Sequence, residues 1–174
     1  MSELDEAWAS ALAEAESRAR VSGRRDVAAY LALRNSNDLL RRTGIEWLIS
    51  TFETLAAQAN RRGGSIQISR EDSHRFRAGN STMVGRLLVL RFGVRQLSVE
   101  AGWPRTPRDG VLRGGGLASA NIRHLGIKSA SEALRLVQST VGTPAWVVGE
   151  RGEGTAEIHE SNLRKHIATL LTSG

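Results

Sequence analysis

The sequence predicts an α+β protein, with about three helices first, a curved antiparallel β-sheet of about six strands next, and one helix at the end. Two observations carry this prediction. Up to residue 62 the apolar residues recur every three or four positions, as on an amphipathic helix. From residue 64 onward they alternate between polar and apolar, as in antiparallel strands. The 174 residues suffice for one core, so a single domain is expected: a helical part (1–62), a mainly sheet part (63–158) and a C-terminal helix (159–174).

Three helices are predicted before the sheet. The first begins with a cap at Ser2 and ends near Gly23, and the second begins at Asp26. The sequence RNSND at 34–38 is expected to break or kink the second helix, because its side chains compete with the backbone for hydrogen bonds. The third helix begins with a capping box at Thr43, and its apolar stripe is expected to pack against the sheet.

The strands are predicted from alternation and from turn residues. SIQIS and HRFRAG alternate, and the stretch 85–101 is typical of a hairpin that turns near Gly93. Residues 129–138 fit either a helix or a strand, and we favour a strand because the next one, AWVVGE, needs a neighbour in the sheet. Ser161 is expected to cap the last helix.

The two strands that flank the stretch 102–116 are predicted to form a ladder of polar side chains on one face of the sheet. This ladder follows from pairing apolar residues with apolar residues across the two strands. We expect its one acid, Glu100, to be paired with Arg123 or Arg86, because an isolated buried carboxylate would be costly. In the expected register of the two strands, Glu100 lies opposite Ser119, Ser98 lies opposite Asn121, and Gln96 lies opposite Arg123.

The stretch AGWPRTPRDGVLRGGGLASANIRH, residues 101–124, is rich in arginine and glycine, as phosphate-binding loops are. It matches neither the P-loop nor the dinucleotide fingerprint, because a strand and not a helix follows its glycines. We expect Trp103 to anchor the base of this loop in the core. Arg105, Arg108 and Arg113 are then expected to reach outward and gather an acidic ligand, the alternative being a solvated connector.

Charge is spread unevenly along the chain. Residues 24–126 hold seventeen arginines and eight acids, whereas the remainder of the chain has a slight excess of acids. Clustered arginine would suit nucleic acid or another phosphate partner. The ratio of 22 arginines to 2 lysines is also what a GC-rich genome produces without any selected surface, and this interpretation is favoured.

Catalytic and metal signatures are missing from the sequence. It contains no cysteine and no G-x-S-x-G nucleophile motif, and its four histidines are spaced for surface or hydrogen-bonded roles and not for metal binding. No metal, no cofactor and no membrane partner is therefore expected. The absence of an apolar segment of membrane-spanning length, together with an acidic N-terminus, indicates a cytoplasmic protein.

These observations favour a noncatalytic binding or interaction module. Its partner would be an acidic ligand or a protein, and homo-oligomers are possible. A nucleic-acid-binding protein that uses the arginine-rich middle region is the first alternative, with weak binding expected. A small-molecule enzyme with a site near Glu100 is the second. The candidate binding residues are Glu100, Trp103, Arg105, Arg108, Arg113, Asn121 and Arg123.

Overall fold

A computed structural model describes residues 3–21, 25–105, 116–148 and 156–172, with the backbone alone for residues 5, 12, 15–21 and 25–33. The protein is α+β: two helices precede an antiparallel sheet of seven strands, and a third helix follows it. Among the described helices, none has the length and apolar character needed to cross a membrane. The elements are α1 (Glu3–Val21), α2 (Arg25–Arg61), β1 (Gln67–Ala78), β2 (Ser81–Phe92), β3 (Arg95–Trp103), β4 (Ala118–His124), β5 (Ile127–Gln138), β6 (Pro144–Val148), β7 (Ala156–Glu157) and α3 (Glu160–Leu171).

The sheet is a simple meander in which each strand pairs with the next along the chain. Because successive side chains of a strand point to opposite sides, the register defines two faces. Leu88, Val99 and Ile122 lie in one row on the face that we call the helix face, and they belong to the same buried core as Phe52 of α2 and Leu163 of α3. The other side is called the outer face.

Helix α2 is continuous, so the predicted break at 34–38 and the separate helix starting at Thr43 are wrong. The side chain of Asp38 is bound to Arg41, at 3.0 Å, and Arg41 in turn donates a hydrogen bond of 2.8 Å to the carbonyl of Leu117. Leu40 between them is fully buried. Packing of this segment against the sheet outweighs the weak helix propensity of its polar residues.

The strand predictions are largely confirmed. Most of SIQIS and HRFRAG belongs to the single strand β1, which begins at Gln67, ends at Ala78 and contains a bulge at Ser73 with a φ of 67°. The hairpin turns at Gly93 as expected, and 129–138 is a strand, the main part of β5. The sheet has seven strands where about six were expected, and the last, β7, has two residues.

The last helix begins before the predicted cap at Ser161, which lies inside its first turn. His159 occupies the N-cap position, and its backbone N–H donates to the side-chain oxygen of Asn162 at 2.9 Å. This contact is one half of a capping box, in which the side chain of the third helical residue accepts a hydrogen bond from the N–H of the cap residue.

The register between β3 and β4 differs from the predicted one by two residues. Glu100 faces Asn121 and Ser98 faces Arg123. A slip of two residues keeps every side chain on its face, so the polar–apolar alternation fits both registers equally well. In the observed register the two large side chains of Val99 and Ile122 lie opposite each other in the core.

Candidate functional site

The sheet separates the predicted site residues into two groups. Glu100 and Asn121 lie side by side on the outer face, with Arg123 two residues further along β4 on the same face. Trp103 lies on the helix face at the end of β3, and Arg105 follows it. Arg108 and Arg113 fall outside the described residues, so the proposed gathering of three arginines is left as a prediction.

On the outer face, Glu100 is held by three side chains, and the predicted pairing with Arg123 is confirmed. Its Oε1 lies 3.0 Å from Nε2 of His74, and its Oε2 accepts a hydrogen bond of 3.4 Å from Asn121 and lies 3.6 Å from the Arg123 guanidinium. Only 13% of the Glu100 side chain is exposed. Both carboxylate oxygens are thus engaged within the ladder itself.

His74 was not expected in this group, because it lies on β1, two strands away from Glu100. It can reach Glu100 because its neighbour on β2 is Gly85, which has no side chain, and the next residue across is Gly102. A Cβ at Gly85 would stand 1.9 Å from the carbonyl oxygen of Ala101. Strands β2 and β3 therefore approach each other too closely at this point for any residue other than glycine.

Arg86, the other predicted partner of Glu100, lies on the opposite side of the sheet. Glu100 faces Leu87 in the β2–β3 register, so Arg86 points to the helix face. There it forms a close ion pair with Glu46 of α2 and lies 3.3 Å from Asp72. The pairing of Arg86 with Glu100 is therefore wrong.

The helix face carries an open cleft of about 730 Å³ between α2, the start of α1 and the adjoining ends of β2 and β3. Apolar side chains from both layers, such as Ile45, Trp47, Val84 and Trp103, line it. This volume lies within the range typical of small-ligand sites. Its polar lining includes Arg42, Arg86 and Arg105 together with Glu3, Glu46 and Asp72.

Trp103 is in the position predicted from its strand parity. Its side chain is buried in the core cluster, in register with Val84 of β2. The guanidinium of the exposed Arg105 lies over the Trp103 ring, 3.9 Å from its centroid. Stacking on an indole orients a guanidinium without occupying its N–H donors, which leaves them available to an acceptor.

The charges of the cleft fall into two zones. In one zone, Glu46 and Asp72 are shared by Arg86 and by the neighbouring Arg70, with N–O separations of 3.5 Å from Arg70 to Glu46 and 3.4 Å from Arg70 to Asp72. At the rim the situation differs: among the described residues, no carboxylate pairs with Arg42 or Arg105.

Two more arginines continue this rim along β1. Arg75 is the register partner of Val84, which itself pairs with Trp103, and Arg77 is two residues further on the same face. Both are exposed, and in the described part of the chain neither is paired with an acid. We call Arg42, Arg75, Arg77 and Arg105 the rim arginines.

Sequence reasoning missed the α2 side of the cleft. Trp47 is half-buried, and it lies outside the apolar stripe of α2 that predicts core positions. A tryptophan beside the stripe of an amphipathic helix was the available signal. Arg42 gave none, because nothing in the sequence tells which strand end it will face.

A separate buried pair joins α3 to the sheet. Nε2 of His124 lies 2.9 Å from Nδ1 of His166, and Nε2 of His166 lies 3.4 Å from the Glu132 carboxylate. Burial, with a smaller effect of His166, lowers the pKa of His124, and Glu132 opposes this shift. Within the described residues, no group of three or more acidic, histidine or cysteine side chains is arranged to hold a metal ion.

Comparison with known proteins identifies no relative. No family model, no curated protein and no solved structure matches the chain.

Proposed function

We propose that this protein is a noncatalytic binding module whose cleft on the helix face holds an anionic ligand with an apolar body. The observation that carries the proposal is the exposed guanidinium of Arg105, stacked on Trp103 at the mouth of a cleft with apolar walls. The ladder around Glu100 is assigned a structural role, since its charged groups already satisfy one another.

The apolar requirement follows from the walls. Trp47 and Trp103 come from opposite layers of the fold and both line the cleft. Indole rings offer large, rigid contact surfaces, so a flat or aliphatic ligand body buried against them would gain hydrophobic free energy.

The anionic requirement follows from the rim. Arg42 and Arg105 line the cleft and, within the described residues, are without a carboxylate partner, whereas Arg86 is neutralised by Glu46 and Asp72. A carboxylate, sulfonate or phosphate on the ligand would supply the missing counter-charge. Charge-assisted hydrogen bonds of this kind contribute about 1.5–3 kcal/mol each.

The noncatalytic part of the proposal rests on which groups line the cleft. General acid–base chemistry requires a titratable group that is free to exchange a proton. Glu46 and Asp72 are held in ion pairs with Arg86, and no histidine is among the described lining residues. The remaining carboxylate of the lining, Glu3, is exposed to solvent at the start of α1 and, in the described part of the chain, is not held beside a second catalytic group.

The test uses a pair of fluorescent probes that differ in charge. The probes are 8-anilinonaphthalene-1-sulfonate, which carries a sulfonate, and N-phenyl-1-naphthylamine, which has the same aromatic body without it. Arg105→Gln is expected to weaken sulfonate binding by about tenfold or more, the equivalent of one charge-assisted contact. Binding of the neutral probe should be unchanged.

Arg123→Gln is the matched control, because Arg123 is also an exposed arginine but lies on the outer face, away from the cleft. It should leave both affinities unchanged, and near-ultraviolet circular dichroism should show that each variant is folded. If Arg123→Gln weakens sulfonate binding and Arg105→Gln does not, the ladder and not the cleft is the binding site.

Nucleic acid is a second candidate partner, supported by the grouping of the rim arginines at one end of the sheet. Opposing it, Arg70, Arg86 and Arg123 are neutralised by acids of the protein itself. We expect only weak binding of a labelled RNA or DNA oligonucleotide, weakening steeply with salt. Micromolar affinity that persists at physiological salt and is lost in Arg75→Gln/Arg77→Gln would favour this candidate over the first.

A further inference from the structure

The end of the sheet furthest from the cleft is formed by two neighbouring hairpin turns. One joins β2 to β3 at Gly93 and Val94, and the other joins β4 to β5 at Leu125 and Gly126. The two turns lie at the same end of neighbouring strands, and the Leu125 N–H of the second turn donates a hydrogen bond of 2.9 Å to the carbonyl of Gln96, close to the start of β3. We call this region the turn end.

Aliphatic side chains occupy the outermost positions of both turns. Val94 is 95% exposed and Leu125 is 67% exposed, and Ile127 next to the second turn is 40% exposed. Gly, Pro, Asn, Asp and Ser dominate turns, because they adopt the required backbone conformations or bond to the turn backbone, and a valine or leucine at a turn tip does neither. Two adjacent turns with aliphatic tips therefore form an exposed apolar projection.

Basic residues surround this projection. Arg91 and Lys128 are exposed on the strands that lead into and out of the turns, and Arg61 and Arg62 are exposed at the end of α2. The end of α2 lies here because β1 begins opposite Arg91. None of these four cations is paired with an acid in the described part of the chain.

The acids of the neighbouring strands are engaged elsewhere. Glu100 of β3 is bound by His74 and Arg123 on the outer face. Glu132 of β5 faces His166 on the helix face. Among the described residues the turn end thus combines aliphatic tips with uncompensated positive charge.

We infer that the turn end docks on the surface of an anionic lipid bilayer, with Val94 and Leu125 inserted between headgroups and the surrounding cations bound to lipid phosphates. Apolar insertion together with attraction to anionic lipid is the physical basis of such peripheral contacts. No membrane partner was expected from the sequence, because it has no segment of membrane-spanning length. A peripheral contact of this kind does not need such a segment.

The shape and chemistry of the turn end favour a bilayer over other partners. A stable protein interface buries about 800 Å² on each side, whereas two projecting turns offer a small convex surface. A bilayer adapts to a convex tip. Nucleic acid would be bound by the cations, but fully exposed valine and leucine side chains contribute nothing to phosphate contacts, and single-stranded bases stack on aromatic residues instead.

Vesicle sedimentation tests the inference. The protein is mixed with vesicles of phosphatidylcholine alone or of phosphatidylcholine with phosphatidylglycerol. We expect partitioning onto the anionic vesicles to exceed that onto neutral ones by at least about tenfold, since each nearby Lys or Arg favours an anionic surface. Val94→Ser/Leu125→Ser should lower it by at least about tenfold, because two inserted aliphatic side chains are lost.

The structure offers a close control for the apolar change. Val141, 81% exposed in the turn between β5 and β6 at the other end of the sheet, can be changed to Ser in the same way. Val141→Ser should sediment like the wild type. Because all three residues are exposed, the variants are expected to fold.

Two results would overturn the inference. In the first, Val94→Ser/Leu125→Ser sediments with anionic vesicles as the wild type does, whereas Arg91→Gln/Lys128→Gln no longer sediments with them. That result would identify a purely electrostatic site for polyanions. The other is equal partitioning of the wild type onto neutral and anionic vesicles. The cleft residues are untouched in these variants, so the outcome is independent of the probe-binding experiment.

Discussion

Acidification is expected to destabilise the fold through the buried imidazole of His124. Its ring is packed between β4 and α3, 2.9 Å from His166. Burial, and to a lesser degree His166, lowers the pKa of His124 below the ordinary value of 6.5, while Glu132 acts in the opposite direction. The unfolded chain therefore takes up a proton at this position at a pH where the folded protein does not.

The sign and size of the effect follow from this difference. Stability is fully present above about pH 6.5 and falls below it by at most about 1.4 kcal/mol per pH unit for one proton, until the pKa of folded His124 is reached. Between about pH 7.5 and about pH 5.5, His124 can therefore remove up to about 1.4 kcal/mol from the free energy of unfolding.

Urea denaturation followed by tryptophan fluorescence at the two pH values measures the effect. His124→Gln keeps an amide donor near His166 but cannot titrate, so it should lose less stability on acidification than the wild type. His159→Gln changes an exposed imidazole. This variant should lose as much stability between the two pH values as the wild type does. Equal losses in the wild type and in His124→Gln would refute the reasoning.

Two further predictions concern the framework. Gly85→Ala should lower the free energy of unfolding by about 3 kcal/mol, because the added Cβ would meet the Ala101 carbonyl oxygen at 1.9 Å. Thr82→Ala on the same strand should have little effect. Equal thermal stability of the two variants would contradict this prediction. Asn60→Ala should cost about 2 kcal/mol in urea titrations, since Asn60 both donates to the Ile66 carbonyl at 2.9 Å and accepts from its N–H at 2.7 Å. Gln58→Ala serves as its control, and equal midpoints would show that this link between α2 and β1 is dispensable.

The sequence predicts which face a residue occupies better than which residue lies opposite it. Alternation placed Trp103 on the core side and Glu100 on the polar side, and both assignments are confirmed. The β3–β4 register was wrong by two residues, because a period of two cannot distinguish registers that differ by two. The pairing of Arg86 with Glu100 was wrong for another reason. Arg86 lies opposite Ala101, whose side chain is on the helix face, whereas Glu100 is on the outer face.

Local signals failed where distant segments meet. The polar residues at 34–38 suit a helix end when considered alone, yet Arg41 and Leu40 bind this segment to the sheet. The cleft depends on that continuity, because it brings Arg42 and Trp47 against strands more than thirty residues away in the chain. Such a wall cannot be predicted from periodicity, which carries no information on how helix and sheet are placed together.

The measurement that tests the proposed cleft most directly is a titration of ¹⁵N-labelled protein with 8-anilinonaphthalene-1-sulfonate, followed through the indole N–H signals of its tryptophans. Trp47 and Trp103 line the cleft, whereas Trp146 is fully buried and donates its N–H to the Gly44 carbonyl at 2.8 Å. The account predicts saturable shifts of the Trp47 and Trp103 signals with Trp146 unmoved. Saturable shifts confined to the backbone signals of Glu100 and Asn121, with both cleft indoles unchanged, would contradict it.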